Sequence, residues 1–131
     1  MEDNFKLEII SPERIIFSDE AKMVTLPSYE GDMSILKNHI SIITFLRPGI
    51  IKVQKNNGNF KDFFVQEGTV EYFNDSLVVL SASAINVKDL SQAFVDNLTK
   101  DSQEKLTDKN ITDHTRYILN HKLDVLKEIQ V

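Results

Sequence analysis

The hydrophobic rhythm of the chain changes once, near Ala84 to Asp89. Ahead of that point it beats in twos. Phe5, Leu7 and Ile9 alternate with Lys6 and Glu8, the pattern of a half-buried strand. Short β-rich runs follow: Met23 to Leu26, stopping at Pro27; Ile40 to Phe45, stopping at Arg47-Pro48-Gly49; Ile50 to Val53; Phe60 to Val65; Val70 to Phe73; and Leu77 to Leu80. Asn56-Asn57-Gly58 is a hairpin signal and Asn74-Asp75 a turn, because these residues tolerate positive φ. All four glycines and all three prolines lie in this part. Strands at intervals of about 8–12 residues, with no helical pattern between them, predict a sandwich or barrel.

From Asp89 onward the period is helical and Gly and Pro disappear. Leu90, Phe94 and Leu98 form one stripe, and Asp89 with Gln92 resembles a capping box, which predicts a helix opening at Asp89. Thr107 to Asn110 reads as a turn. A second helix then runs from about Thr112 to the end, with Leu119, Leu123 and Leu126 as its stripe, widened by Ile118, Val125 and Ile129. Two such helices make an antiparallel hairpin. Each is of a length that is marginal alone in water, so the stripes must bury against each other, against the strands or against a partner. The expected organisation is α+β, with a β-domain over 1–87 and a helical hairpin over 88–131.

Composition narrows the function. The chain has 131 residues, 41% of them apolar, enough for an ordinary core. A net charge of −5 and no basic cluster argue against nucleic acid. With no cysteine, disulfides, thiolate metal sites and Cys nucleophiles are excluded. The opening Met1-Glu2-Asp3-Asn4 is not a signal sequence, and the longest nearly apolar run, Ile40 to Leu46, is far below the ~20 residues of a membrane helix. These features predict a cytoplasmic protein whose membrane association comes through partners.

Catalytic chemistry has little to stand on. His114 and His121, seven apart, would lie about 10.5 Å apart along a helix, too far for one metal, and read as surface histidines. There is no Gly-rich phosphate loop, no G-x-S-x-G and no H-E-x-x-H. Asp19-Glu20 and Glu30-Gly31-Asp32 are acidic pairs that read as solvated charge; Ser11, Ser28 and Ser34 have no visible base. A β-sandwich interaction module and a small carboxylate hydrolase are the alternatives to a structural role.

Several motifs, in order, carry a resemblance. Leu7 to Phe17, Met23-Val24-Thr25-Leu26-Pro27-Ser28-Tyr29-Glu30-Gly31-Asp32-Met33-Ser34-Ile35-Leu36, His39, and Ile43-Thr44-Phe45-Leu46-Arg47-Pro48-Gly49-Ile50-Ile51-Lys52-Val53 are similar to the N-terminal domain of F-type ATP synthase epsilon subunits. Gly68 and Val79-Leu80-Ser81 match less distinctively. The resemblance implies a flattened β-sandwich of about ten strands followed by a two-helix hairpin. It implies a non-catalytic rotor subunit at the foot of the gamma subunit, against the c-ring, transiently meeting alpha and beta subunits, on the cytoplasmic face of the bacterial membrane. Glu30, Gly31 and Asp32 match the ring-facing loop, and His39 matches the gamma-facing histidine. Lys37-Asn38 stands where the family often has Pro-Gly, and Ser34 replaces a glycine.

In some relatives the first helix carries an ATP-binding motif, Ile/Leu-Asp-x-x-Arg-Ala. Leu90-Ser91-Gln92-Ala93-Phe94-Val95 lacks its Asp and Arg, so no cofactor is expected. Asp113-His114-Thr115-Arg116 has the spacing but lies in the second helix, and reads as an i, i+3 charge pair. In many relatives basic residues of an extended hairpin face a beta subunit and inhibit hydrolysis; Arg116, Lys122 and Lys127 are the candidates for such contacts here. Residues 88–131 hold 7 Lys plus Arg against 8 Asp plus Glu, too balanced for strong steering, so weak inhibition or a mainly structural tail is expected.

Overall fold

A computed structural model describes residues 3–129. Ten strands precede two helices: β1 (Phe5–Ile10), β2 (Ile15–Ala21), β3 (Met23–Ser28), β4 (Gly31–Leu36), β5 (Ile42–Leu46), β6 (Gly49–Gln54), β7 (Phe60–Val65), β8 (Gly68–Phe73), β9 (Ser76–Leu80) and β10 (Ile85–Asn86), then α1 (Gln92–Lys105) and α2 (Asp113–Glu128). The predicted α+β sandwich with a helical tail is the observed fold. Hydrogen bonding runs β10-β7-β6-β3-β5-β8-β9-β1-β2, with β4 beside β3. β3 and β5 share one pair, Ser28 with Leu46, and there the sheet folds over into two layers. The first holds β4, β3, β6, β7 and β10; the second holds β5, β8, β9, β1 and β2.

The core lies between the layers. Val24, Leu26, Ile35, Ile51, Val53, Phe63 and Val65 from the first layer meet Phe5, Leu7, Ile9, Leu46, Val70, Tyr72, Leu77 and Val79 from the second. The alternation read for Phe5, Leu7 and Ile9 is thus an inward face, with Lys6 exposed. The predicted turns are present. Asn74 and Asp75 both take positive φ, 53° and 59°, and Gly58 closes the β6–β7 hairpin at φ 82°.

Several boundaries differ from the sequence reading, and β2, β4 and β10 are not among its periodic runs; three of the differences have a clear physical reason. β3 does not stop at Pro27 but continues to Ser28. The Pro27 carbonyl accepts from Arg47 N–H, so its missing N–H points to the same side, where the β6 ladder has already ended at Thr25. β5 starts at Ile42, not Ile40, because Asn38 at φ 68° still carries the chain through a turn. The first α-helix does not open at Asp89. Val87–Asp89 is one 3₁₀ turn, Leu90 is extended, and Ser91 is the N-cap whose hydroxyl accepts from Phe94 N–H. Leu90 therefore joins the stripe of Phe94 and Leu98 from outside the helix.

A second core ties the hairpin down. Phe64 on β7 faces away from the sandwich interior and packs with Leu90, Val95 and Leu126, flanked by Ile50, Ile85, Phe94, Leu98, Val125 and Ile129. Phe63, Phe64 and Val65 are all buried because each side of β7 is covered. Of the two α2 histidines read as surface residues, His114 is exposed, but His121 is half-buried against the sandwich.

Candidate functional site

The acidic turn joins β3 to β4. Ser28 pairs with Gly31, leaving Tyr29 and Glu30 at the tip. Gly31 takes φ 122°, which a side chain would strain, and its carbonyl accepts from Ser28 Oγ at 2.6 Å. Glu30 and Asp32 are exposed. Asp32 stands opposite Pro27 and borders a cleft of about 240 Å³ between the first layer and α2. Arg47, Lys52, His121, Asp124 and Glu128 line the same cleft.

Tyr29, between the acidic residues and the strand, is where the hairpin meets the turn. Its ring stacks on His114 at 5.9 Å and on Tyr117 at 6.2 Å. Tyr117 donates its hydroxyl to the Tyr29 carbonyl at 3.3 Å and accepts from Arg47 Nη1 at 2.9 Å. The same guanidinium nitrogen lies 3.5 Å from His121 Nε2. Burial, and next the positive charge of Arg47, hold the His121 imidazole below its ordinary pKa, with Asp124 pulling the other way. Gly49 makes this corner possible, since a Cβ there would overlap the Pro27 ring. None of these contacts was read from the sequence. The only signal was an aromatic and histidine spacing on one face of α2, at Tyr117 and His121, with His114 a turn earlier.

His39 lies at the far end of β4, one strand length from the acidic turn, so the two family-matched features belong to opposite ends of the sandwich. Its ring meets Tyr72 edge-on at 5.7 Å, and its Nδ1 is 2.6 Å from the Ile40 carbonyl. Tyr72 donates to Asp75 Oδ1 at 2.7 Å, and Asn38 N–H donates to the same oxygen at 3.0 Å. Burial and the Asp75 bond push the Tyr72 phenol up to about 12; the Asn38 and Tyr72 bonds hold the Asp75 carboxyl below its usual range. The loop carrying His39 is therefore fixed by charge-assisted bonds.

Between these ends runs a face with several large apolar residues that no other element covers among the described residues. Ile43 and Phe45 on β5 point outward at 74% and 59% exposure, beside Phe73 on β8 at 66% and Leu80 on β9 at 52%. Strand register puts Phe45 next to Thr69 and Thr69 next to Leu80. A shallow cleft lined by Tyr29, Phe45, Glu67 and Leu80 connects this face to the acidic turn.

The tail cations are differently placed. Arg116 pairs with Asp113 at 3.3 Å, as the i, i+3 reading expects. Lys122 is half-buried; burial and then Lys105 hold its pKa below the ordinary lysine value, with Asp101 opposing. Lys127 is exposed in the last turn of α2. Among the described residues no helix is long and apolar enough to cross a membrane.

Residues 4–87 match the family model of the ATP synthase delta/epsilon chain β-sandwich domain. The chain is 41% identical over 130 residues to the ATP synthase epsilon chain of Pelagibacter ubique, covering 98% of this chain and 99% of that one. It is 36% identical over 100 residues to the epsilon chain of Rhizobium rhizogenes, covering 76% and 72%. Among solved structures it is similar in fold to a chain of the Euglena gracilis mitochondrial ATP synthase OSCP/F1/c-ring structure, with a TM-score of 0.71 at 15% identity over 92% of this chain and 76% of that one. It is likewise similar to a chain of the Tetrahymena thermophila mitochondrial ATP synthase central stalk/c-ring, with a TM-score of 0.60 at 13% identity over 94% and 93%. Near full-length identity to epsilon chains, a matching domain model and the sandwich-plus-hairpin fold agree: the chain belongs to the family of ATP synthase epsilon chains.

Proposed function

We propose that the chain is a non-catalytic rotor subunit that seats the gamma subunit on the c-ring. The second layer's outer face binds gamma, and the Glu30-Gly31-Asp32 turn meets the polar ring loops. The observation that carries the reading is the row Ile43, Phe45, Phe73 and Leu80, each more than half exposed on one sheet face. Thr69 and the exposed Glu71 lie between them, and such a concentration of exposed large apolar residues on one sheet face suits a protein partner with both apolar and polar contacts. His39, fixed at one end of that face, and Tyr29, at the other, give it defined borders. The charged turn adds little affinity, since an exposed ion pair contributes about 0–1 kcal/mol; it sets register.

The hairpin acts chiefly as structure. It is anchored by the second core, Lys122 is half-buried and residues 88–131 are close to charge balance, so inhibition of hydrolysis through contact with beta subunits is weak even though Arg116 and Lys127 are exposed. The region from Leu90 to Val95 lacks the charged pair of the nucleotide motif, and no cofactor is assigned. The subunit works at the cytoplasmic face of the membrane and is held there by the complex.

The test is co-assembly. Isolated gamma and c-ring are mixed with the chain and with an Ile43→Asp/Phe45→Asp variant. The reading expects the native chain to co-purify with gamma and the variant to be lost from it. Equal recovery of both would overturn it. Deleting 89–131 should change ATP hydrolysis by the assembled enzyme only slightly; a large rise would contradict the structural role of the tail.

A further inference from the structure

The two halves of α2 are held in different ways. Toward its C-terminal end, Val125 and Leu126 enter the second apolar core, joined by Ile129 beyond the helix. Toward its N-terminal end Leu119 is buried outside that core, and the contacts to the β3–β4 turn and to Arg47 are polar and aromatic: His114 and Tyr117 on Tyr29, and Tyr117 with His121 on Arg47. Arg47 is always protonated and can only donate. Its Nη1 lies 3.5 Å from His121 Nε2, a contact that is favourable only when that nitrogen is the acceptor of a neutral ring. Tyr117, whose ring is 4.4 Å from that of His121, uses its one hydroxyl to join Arg47 to the Tyr29 carbonyl. A proton on Nε2 replaces an acceptor with a donor and places two cations side by side.

We propose that the meeting of Arg47 with Tyr117 and His121 is a proton-operated latch, closed while His121 is neutral and opened by its protonation, which decides whether α2 covers the Tyr29 turn.

The other groups around His121 do not cancel the effect. Asp124 and Glu128 belong to α2 and stay near His121 whether the helix is docked or lifted, so they act on both states alike. Asp101 and Lys105 of α1 address Lys122 and are not among the charges acting on His121. The groups met only on docking come from the sandwich: Arg47 and Lys52, both positive, and Asp32, negative. Arg47 is the near one, and burial acts in its direction. The lifted state therefore binds the proton more tightly. Docking is at full strength above the free imidazole value of 6.5 and weakens as pH falls below it, by up to tenfold per pH unit until the docked ring is itself protonated. Opening uncovers Tyr29, which borders both the acidic turn and the apolar face. The device needs only this chain and stands whether or not gamma is the partner.

The chain has no cysteine, so nitroxide labels can be placed at Glu30→Cys and Lys109→Cys, both exposed, and their distance distribution read in the full-length chain from pH 8 to 5.5. The expected result is one short distance at pH 8 and a second, longer population growing below pH 6.5. A His121→Gln variant, which keeps a neutral acceptor, should stay short throughout. A distribution unchanged between pH 8 and 5.5, or equal acid sensitivity in His121→Gln, overturns the latch. The imidazole signals of unsubstituted His121, followed by NMR, decide the matter independently of any variant: titration below 6.5 is expected, and titration at or above 6.5 overturns it.

Discussion

The sandwich has two apolar outer faces, and the chain treats them oppositely. On the first layer, Ile50, Phe64 and Ile85 form a row that α1 and α2 cover, and Phe64 is fully buried. On the second, Ile43, Phe45, Phe73 and Leu80, with Thr69 and Glu71 between them, stay open. Both come from strands whose apolar residues point both ways. Such strands need cover on both sides. What differs is who supplies the second cover. One face is closed by the chain's own hairpin and contributes to its stability. The other is left exposed among the described residues, and under the proposed function gamma covers it.

That contrast can be broken most sharply at Phe64. Phe64→Ala should cost about 3–5 kcal/mol in urea unfolding, since it empties the centre of the second core. A loss near zero would mean that the hairpin is not held there. Tyr117→Phe removes the hydroxyl that links Arg47 to Tyr29 and should cost about 1 kcal/mol, with faster amide exchange in the first half of α2 than in the second. Phe45→Ala, at 59% exposure, should stay within about 0.5 kcal/mol of the native chain. A drop as large as that of Phe64→Ala would erase the distinction between the faces. Asp32→Asn should be smallest of all in the isolated chain, because Asp32 is exposed and no ion pair holds it among the described residues.

The sequence signals that proved readable were local. Asn57-Gly58 and Asn74-Asp75 announced their turns because positive φ is written in the residue type. Thr112 marked the start of α2, and its hydroxyl accepts from Thr115 N–H. Pro27 misled, because its effect depends on whether a neighbouring strand needs its N–H, and β6 ends before reaching it. Asp89 misled because Ser91, two residues on, is the better cap. Phe63-Phe64-Val65 and Ile42-Ile43-Thr44-Phe45-Leu46 looked alike, and a strand pattern carries no record of which face its own helices will cover. The Arg47–His121 contact joins residues 74 apart and arises only once the hairpin docks, so no local pattern could announce it. The acidic turn and His39 stand out in the sequence as family-matched motifs, but their placement at opposite ends of the sandwich and the stacking of Tyr29 on α2 do not.

The most direct test of the two-face account is to measure, on one protein preparation, both the urea midpoint and the affinity for gamma of the Ile43→Asp/Phe45→Asp variant. Apolar anchors at the centre of an interface commonly contribute 2 kcal/mol or more each, so binding should weaken by at least about 100-fold while the midpoint stays within error of the native chain. Undiminished affinity, or a loss of affinity matched by a loss of folding stability, would contradict the claim that this face is built for a partner and not for the fold.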